Sequence, residues 1–375
     1  MDGTVRVRNL AGEELLSSAS CAVSELKQLI WAQGGPAVAQ QRLLKGDEVL
    51  EEDGVASGEL VLLAAACEDG PNLIRSVLLI RSLKPSEALR GDHRVLRATE
   101  QQVEIDARVG LRRFSYHAVL DAGKQAEQVF QKVGCEMLHR FVDGYDSCVM
   151  AYGTTTSGKC ESLWGSDGLM WRVLELFFAC RRLPEWTLCC SMWAFTAGGS
   201  YDLLSPPGHP ELTHLELRSM ADVAKAFRYG RSRRVPGSNP DLLVTFTLRS
   251  GDLTRRMHLV ECRGSEKLSR PGATGEVLTE GVQLAVRSVA LGNVICALAG
   301  TQRHIPYRDS KFTWCLRHAL GGSCLTYFLG HVSPSNMDED DTLSTLRYMQ
   351  RAAQVENQPL RLHNMDLPPH PCKHL

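Results

Sequence analysis

A glycine-rich segment that ends in a lysine carries the clearest chemistry in this sequence. The apolar run Cys148–Tyr152 leads directly into Gly153, and Gly158 and Lys159 follow at the spacing of a GxxxxGK loop. In such a loop the backbone N–H groups and the next helix N-terminus bind phosphate oxygens, while the lysine charge lies on the β- and γ-phosphates. The expected nucleotide-binding residues are Gly153, Thr154, Thr155, Thr156, Ser157, Gly158, Lys159 and Cys160.

The last of these residues departs from the pattern. A serine or threonine after the loop lysine supplies a hydroxyl ligand to Mg²⁺, whereas this chain has Cys160. A thiol is a soft ligand, and Mg²⁺ is a hard cation that prefers oxygen. The sequence therefore predicts a phosphate-binding loop whose metal position is altered.

The elements that position this loop lie in the larger of two predicted units. Residues 73–356 alternate strand-like apolar runs with amphipathic stretches, which is typical of an α/β fold with a central mixed sheet flanked by helices. The run Cys148–Tyr152 is the expected buried strand before the loop. The polar residues 67–72 are the expected linker on the N-terminal side.

Residues 1–66 have the pattern of a smaller domain. Val5–Arg8 alternates like a strand, and Cys21–Ile30 has apolar residues at helical spacing. Arg42–Leu44 and Leu60–Leu63 then follow as short apolar strands. This order of elements predicts a β-grasp arrangement.

One segment of this domain resembles a known family. Gln40–Leu50 is similar to the QQRLIFAGKQL segment of ubiquitin-like domains, and the resemblance covers nearly all of residues 1–66. It implies a partner-binding surface around Leu44, although a leucine on a strand also serves to fill a core. No di-glycine follows Leu63, so conjugation to other proteins is not expected.

The overall composition excludes several classes of partner. A formal net charge of −1 provides no basic field for nucleic acid or an anionic membrane. The longest apolar runs are too short to cross a bilayer. The 13 cysteines have no CxxC spacing, which favours a reduced cytoplasmic protein over a disulfide scaffold or a zinc site.

The larger unit resembles the kinesin motor domain over about 280 residues. The ordered motifs that carry the resemblance are Phe114–Tyr116, Gly144-Tyr145, Ala151–Gly153, the IPYRDSK sequence at Ile305–Lys311, Leu320–Gly322, Val332–Ser335 and the TLSTLRY sequence at Thr342–Tyr348. Trp314 and Glu136–Leu138 favour the third kinesin class. The resemblance implies a P-loop NTPase fold, ATP or ADP with Mg²⁺ as cofactor, tubulin as partner and a location on the cytoskeleton.

The chain departs from the family at the adenine and switch I segments. The family's RxRP segment, which holds adenine, falls on Ser82–Pro85, so that Lys84 and Pro85 are the remaining candidates for this contact. Lysine lacks the planar face with which arginine stacks on a base. The family's switch I motif NxxSSRSH falls on Arg234–Leu243, which is shorter and contains no SSRSH.

The switch II motif DLAGSE reads ECRGSE at Glu261–Glu266. The resemblance implies metal-side roles for Glu261 and Cys160, a γ-phosphate contact for Gly264 and a catalytic role for Glu266. Glu261 is one methylene longer than the family's aspartate, and a carboxylate that is displaced by about an ångström costs on the order of a hundredfold in rate. Because phosphoryl transfer depends on positioning, these changes together predict impaired or absent hydrolysis.

The family meets acidic tubulin through the region that contains IPYRDSK. In this chain the implied microtubule-binding residues are Arg303, Tyr307, Arg308, Lys311 and Arg317. The alternative is that Tyr307 and Arg308 are packing residues of the fold. Residues 357–375 resemble a neck-linker followed by a Pro/His-rich tail without heptads, so the expected state is a monomer.

Three functions therefore stand as hypotheses. The leading one is a microtubule-binding, kinesin-like protein with a degenerate ATP site, whose N-terminal domain recruits a protein partner. The second is an active, ATP-hydrolysing microtubule motor. The third is an adaptor that works through Leu44 and uses neither nucleotide nor tubulin.

Overall fold

A computed structural model of the chain describes most of the larger unit and the regular elements of the smaller one. The described residues are 4–8, 14–19, 21–32, 41–45, 48–50, 55–56, 58–64, 72–108, 110–121, 125–180, 185–196, 199–205, 212–235, 240–251, 253–263 and 289–359.

The N-terminal elements form a sheet with one helix against it. The strands are β1 (Thr4–Arg8), β2 (Glu14–Ala19), β3 (Cys21–Ala22), β4 (Gln41–Lys45), β5 (Glu48–Val49), β6 (Val55–Ala56) and β7 (Gly58–Ala64), and the helix is α1 (Val23–Ala32). The main sheet has the order β2-β1-β7-β4-β5, in which only the β1–β7 pair is parallel. Its buried core includes Val5, Val7, Leu26, Leu43 and Leu60.

The start of the first helix differs from the prediction. Cys21 and Ala22 are not helical but pair with Ala56 and Val55 as strand β3, and the helix begins at Val23. Helical apolar spacing is the same whether or not the first two residues are helical, whereas the pairing with β6 comes from a distant segment. The strands predicted at Val5–Arg8 and Leu60–Leu63 are confirmed.

The larger unit is built on a mixed sheet, as predicted. Its strands are β8 (Arg75–Ile80), β12 (Ala118–Leu120), β13 (Ser147–Gly153), β14 (Thr187–Thr196), β15 (Gly199–Asp202), β16 (Leu215–Leu217), β17 (Asp241–Ser250), β18 (Leu253–Glu261) and β19 (Leu325–Val332). The order is β12-β8-β19-β13-β18-β17-β14-β15, and β16 also pairs with β14. Pairs from β12 to β18 are parallel, and those beyond β18 are antiparallel.

A small antiparallel sheet and the helices complete this unit. The small sheet has the order β11-β10-β9, from β9 (Leu96–Ala98), β10 (Gln102–Ala107) and β11 (Gly110–Ser115). The helices are α2 (Pro85–Leu89), α3 (Gln125–Val129), which continues through a π-helical turn (Phe130–Gly134) into α4 (Cys135–Val142), α5 (Lys159–Trp164), α6 (Leu169–Ala179), α7 (Met220–Ser232), α8 (described over 289–299), α9 (Lys311–Cys315) and α10 (Glu339–Ala352). Single 3₁₀ turns lie at Tyr307–Asp309 and Asn336–Asp338.

Both faces of the central strand β13 are buried, which explains why its sequence is a continuous apolar run. Val149 and Ala151 pack into one core with residues of α4, α6 and α7. Cys148 and Met150 pack into a second core with residues of α8, α9 and α10. The helices therefore cover both faces of the sheet, and the loop after β13 emerges at its carboxyl edge.

The last described residues of the chain run next to the residues that precede β8. Leu73 forms a bridge with Glu356 next to β8. Asn357, the first residue of the predicted neck-linker segment, is buried, and its amide donates hydrogen bonds to the carbonyls of Ala319 and Cys324 at 3.0 and 2.8 Å. None of the described helices is long and apolar enough to cross a membrane.

Candidate nucleotide site

The phosphate loop leaves the sheet at Gly153, where only glycine fits. β13 lies between β18 and β19, and Gly153 pairs with His331. The φ of Gly153 is +142°, and a Cβ there would lie 2.1 Å from the His331 carbonyl oxygen. Gly158, with φ +106°, precedes the first residue of α5. The loop geometry is therefore fixed by steric contact with the fold itself.

Within the loop, the lysine side chain folds back onto the loop carbonyls. Lys159 is 6% exposed, and its Nζ donates to the Gly153 and Thr154 carbonyl oxygens at 2.7 and 2.6 Å. The Ser157 hydroxyl donates to the same Thr154 oxygen at 2.6 Å. The ammonium thus lies inside the loop, and it must exchange these carbonyls for phosphate oxygens to bind a nucleotide.

A histidine that was not among the predicted site residues packs against the loop. His331 is buried, its Nε2 lies 2.7 Å from the Ser162 hydroxyl, and its Nδ1 lies 3.2 Å from the Leu329 carbonyl oxygen. A carbonyl can only accept, so Nδ1 carries the proton and Nε2 accepts from Ser162. Burial and the charge of Lys159 lower the pKa of His331 to about 3, so the ring is neutral at physiological pH.

Beside the loop, the structure brings together Cys160 and Glu261, the two predicted metal-side residues. Cys160 is the second residue of α5, and Glu261 ends β18, opposite Ala151 in the sheet. Partial burial of the sulfur, and next the charge of Glu261, raise the pKa of the Cys160 thiol, which keeps it protonated. The Trp164 indole N–H donates to Glu261 Oε2 at 2.7 Å. One oxygen of this carboxylate is therefore already engaged.

An arginine also approaches this pair. Arg234 follows α7, where its backbone N–H donates to the Arg231 carbonyl at 3.3 Å. Burial lowers the pKa of the Arg234 guanidinium, while Glu261 and Cys160 act on it in the opposite direction. The buried Nε of Arg234 has no hydrogen-bond partner among the residues that the structure describes.

These residues do not fit a magnesium ion. Mg²⁺ requires near-octahedral oxygen ligands, whereas Cys160 offers a protonated sulfur and Glu261 shares its carboxylate with an indole. The nearby guanidinium of Arg234 adds a like charge. Across the described ranges, no group of three or more His, Cys, Asp and Glu side chains is arranged to hold a metal.

The comparison with family models decides the identity of the larger unit. The kinesin motor domain model matches residues 80–234 and 244–355, which together make up more than half of the chain. The chain belongs to the kinesin motor domain family. The predicted P-loop, mixed-sheet kinesin fold is thereby confirmed.

Several curated kinesins are similar to this chain. Kinesin-like protein KIF7 of Homo sapiens is 32% identical over 358 residues, which cover 77% of this chain and 25% of KIF7. KIF18A of Mus musculus is 32% identical over 285 residues, 65% of this chain and 32% of KIF18A. Klp68D of Drosophila melanogaster is 29% identical over 291 residues, 66% of this chain and 36% of Klp68D. The matches span about a quarter to about a third of these longer relatives.

Solved structures show the same fold. The "Structure of a fast kinesin: Implications for ATPase mechanism and interactions with microtubules" matches with a TM-score of 0.70 and 27% identity over 81% of this chain and 97% of that one. A KIF14 dimer with AMP-PNP in complex with a microtubule matches with a TM-score of 0.72 at 24% identity, over 79% of this chain and 98% of that one, and shows the fold alone.

The switch segments of this kinesin are described only in part. Asp241–Leu243, the end of the predicted switch I segment, begin strand β17. After Glu261, Arg263 is buried, and its backbone N–H donates to Asp241 Oδ1 at 2.9 Å. Gly264 and Glu266, the other predicted catalytic residues, lie outside the described residues.

The predicted adenine contacts lie at the start of α2. Pro85 is its first residue, and the backbone N–H of Lys84 donates to Glu87 Oε2 at 2.8 Å. Arg81 holds the same carboxylate through two hydrogen bonds of 2.7 and 2.6 Å, which lower the pKa of Glu87 to about 2. Arg81 also donates to the Ser333 hydroxyl at 2.8 Å. Arg81 therefore connects α2 to the residue that follows β19.

Four of the five predicted track-binding residues lie in or next to α9, and Arg303 lies before them in the chain. Arg303, Arg308 and Lys311 are exposed, and Arg317 is half-buried. The guanidinium carbons of Arg308 and Arg317 lie 5.4 and 4.4 Å from the Trp314 ring centroid.

Tyr307 makes a hydrogen bond within the fold, and Leu44 lies in a paired strand. The half-buried Tyr307 donates its hydroxyl to the Leu320 carbonyl at 2.6 Å. Leu44 lies in β4, where it is opposite Val49 and Val61.

Proposed function

We propose that this chain is a microtubule-binding kinesin-like protein whose ATP site is impaired or inactive in hydrolysis. The observation that carries the proposal is the Trp164–Glu261 hydrogen bond of 2.7 Å beside a protonated Cys160, next to a complete phosphate loop. The family relies on a hydroxyl and an aspartate at these positions. Here neither is present, while the surrounding fold is retained.

The exposed cations around α9 support microtubule binding. Arg303, Arg308 and Lys311 are solvent-facing, with Asp309 as the acidic neighbour in the same turn. A local basic surface attracts acidic tubulin even on a chain of net charge −1. The fast kinesin to which this chain is similar is described in terms of its interactions with microtubules. The proposed location is the cytoskeleton.

Co-sedimentation with stabilised microtubules tests this proposal. The full chain should pellet with microtubules, and the fraction bound should be nearly the same with ATP, with ADP and without nucleotide. Recovery of the whole protein in the supernatant under all three conditions would reject it.

A second candidate is an active microtubule motor that uses ATP. Its support is the Gly153–Lys159 loop, whose glycines and lysine are all in place. This candidate requires Mg²⁺-dependent phosphate release that microtubules stimulate, and an assay in which microtubules have no effect would exclude it.

For residues 1–66 we propose a ubiquitin-like domain that recruits a protein partner. The strand order β2-β1-β7-β4-β5, with its single parallel pair in the centre and α1 against it, supports a β-grasp fold. Leu44 on β4 is the proposed contact, and the adaptor hypothesis would make this contact the main function. Retention of every partner by a Leu44→Arg variant in a pulldown would count against both.

A further inference from the structure

We propose that this site binds the phosphate chain of a nucleotide without a divalent metal, with the Arg234 guanidinium taking the place that Mg²⁺ would have beside Cys160 and Glu261. This inference rests on the proposed function only in that both place an altered nucleotide site in a kinesin fold. It adds a ligand mode to that site.

Aromatic contacts connect α7, the helix before Arg234, to Trp164 of α5 and through it to Glu261. The Phe227 ring of α7 packs on Trp164 of α5 with centroids 5.4 Å apart, and on Trp171 of α6 at 5.9 Å. Trp164 is 3% exposed and holds Glu261 through its indole N–H. The end of α7 is therefore fixed next to the carboxyl ends of β13 and β18, where a nucleotide's phosphates would lie.

The charges at this point already form a set without a metal ion. Arg234 lies close enough to interact with the Glu261 carboxyl group and with Cys160. A guanidinium is charged at every physiological pH and presents a planar fork of donors that matches phosphate oxygens. With Lys159 inside the loop, two cations would be available to the phosphate chain.

The Arg234 guanidinium has one donor, Nε–H, that is not used in a hydrogen bond to the described residues. Its Nε is buried and has no acceptor within the described part of the chain. A buried donor without an acceptor is unfavourable, and a phosphate oxygen would satisfy it with a charge-assisted hydrogen bond. An incoming Mg²⁺ would instead meet this guanidinium as a like charge.

The test is the affinity of the full chain for fluorescent ADP and ATP, measured with Mg²⁺ and with EDTA. The wild-type affinity for nucleotide should be the same within about twofold with Mg²⁺ and with EDTA, because the residues of the site do not hold the metal. Arg234→Ala should weaken metal-free binding by about 10- to 100-fold, the cost of one charge-assisted contact. Arg234→Lys, which keeps the charge but loses the fork, should fall between them.

Arg228→Ala is the matched control, because it removes the same charge from an exposed position on α7, the helix that precedes Arg234. It should bind nucleotide like the wild type. Thermal unfolding and microtubule co-sedimentation of each variant separate lost folding from lost binding.

Three results would overturn the inference. They are affinity that Mg²⁺ raises more than about tenfold, metal-free binding that Arg234→Ala leaves unchanged, and no nucleotide binding by the folded wild-type chain in either condition. The last result would leave microtubule binding untouched, so the failure of this inference is distinguishable from the failure of the proposed function.

Discussion

The two halves of the nucleotide site are held in different ways. The loop half depends on backbone, because Gly153 fits against the His331 carbonyl and Lys159 is bonded to loop carbonyls. The metal half depends on side chains, and here a thiol, an indole-bound glutamate and an arginine meet. The backbone at Gly153 is set by the pairing of β13 with β19, whereas the residues of the second half meet through their side chains. A complete loop is therefore weak evidence for hydrolysis.

The loop half should respond most strongly to Gly153→Ala. A Cβ 2.1 Å from a backbone oxygen cannot be accommodated, and φ +142° is strained for alanine, so we expect a loss of more than ~3 kcal/mol in the free energy of unfolding. Urea denaturation of the full chain measures it.

Gly251→Ala is the control for that substitution. Gly251 has φ +56° with nothing within 4 Å of a Cβ, so the expected loss is only about 1 kcal/mol. Equal losses for the two variants would contradict a special steric requirement for glycine at Gly153.

The buried His331 should make the free energy of unfolding depend on pH. The pKa of His331 is about 3 in the folded chain and about 6.5 when unfolded, so the unfolded state binds more protons between these values. The contribution of a neutral His331 is complete above pH 6.5 and is lost as the pH falls towards 3. At pH 5 this loss amounts to ~2 kcal/mol.

Urea denaturation at pH 7.5 and pH 5 checks this expectation. His331→Gln should lose less stability than the wild type between the two pH values. Parallel losses would contradict the burial of a neutral histidine under the loop.

In the metal half, Trp164→Phe should cause a moderate loss of stability. Phenylalanine keeps the packing on Phe227 but removes the donor to Glu261, which costs about 1–2 kcal/mol in the free energy of unfolding. Trp171→Phe is the control, because its indole N–H makes only a 3.4 Å contact with the Trp164 carbonyl. If both variants lose the same amount, the Glu261 contact has no special weight.

The smallest expected effect lies outside the site. Arg308→Ala combined with Lys311→Ala removes two exposed charges, and we expect a microtubule affinity weaker by about 5- to 10-fold with a reduced dependence on salt. Arg97→Ala combined with Arg228→Ala removes two exposed charges elsewhere and should leave the affinity unchanged. Equal weakening by both pairs would indicate attraction by net charge rather than a defined surface.

The sequence alone predicted the loop half well and the metal half only by residue type. The run Cys148–Tyr152 predicted β13 because a strand buried on both faces must be apolar throughout. The glycines and lysine after it follow a fixed local spacing. Cys160 and Glu261 were expected at one metal position, and the structure brings them together.

What the sequence could not supply are the contacts between distant segments. Trp164 and Glu261 are 97 residues apart, and their hydrogen bond follows only once β13 and β18 are paired in register. Arg234 was assigned to a shortened switch I, with no expectation that it would face Glu261. His331 had one available signal, its place directly before the Val332–Ser335 motif, but its role depends on the pairing with Gly153.

The most direct test of the central claim is phosphate release from ATP by the full chain, with Mg²⁺ and a titration of microtubules, against Lys159→Ala as the blank. We predict that the wild type and Lys159→Ala release phosphate at the same low rate at every microtubule concentration, because the metal half does not fit Mg²⁺. A rate that rises with microtubules in the wild type, requires Mg²⁺ and disappears in Lys159→Ala would contradict the claim and establish an active motor.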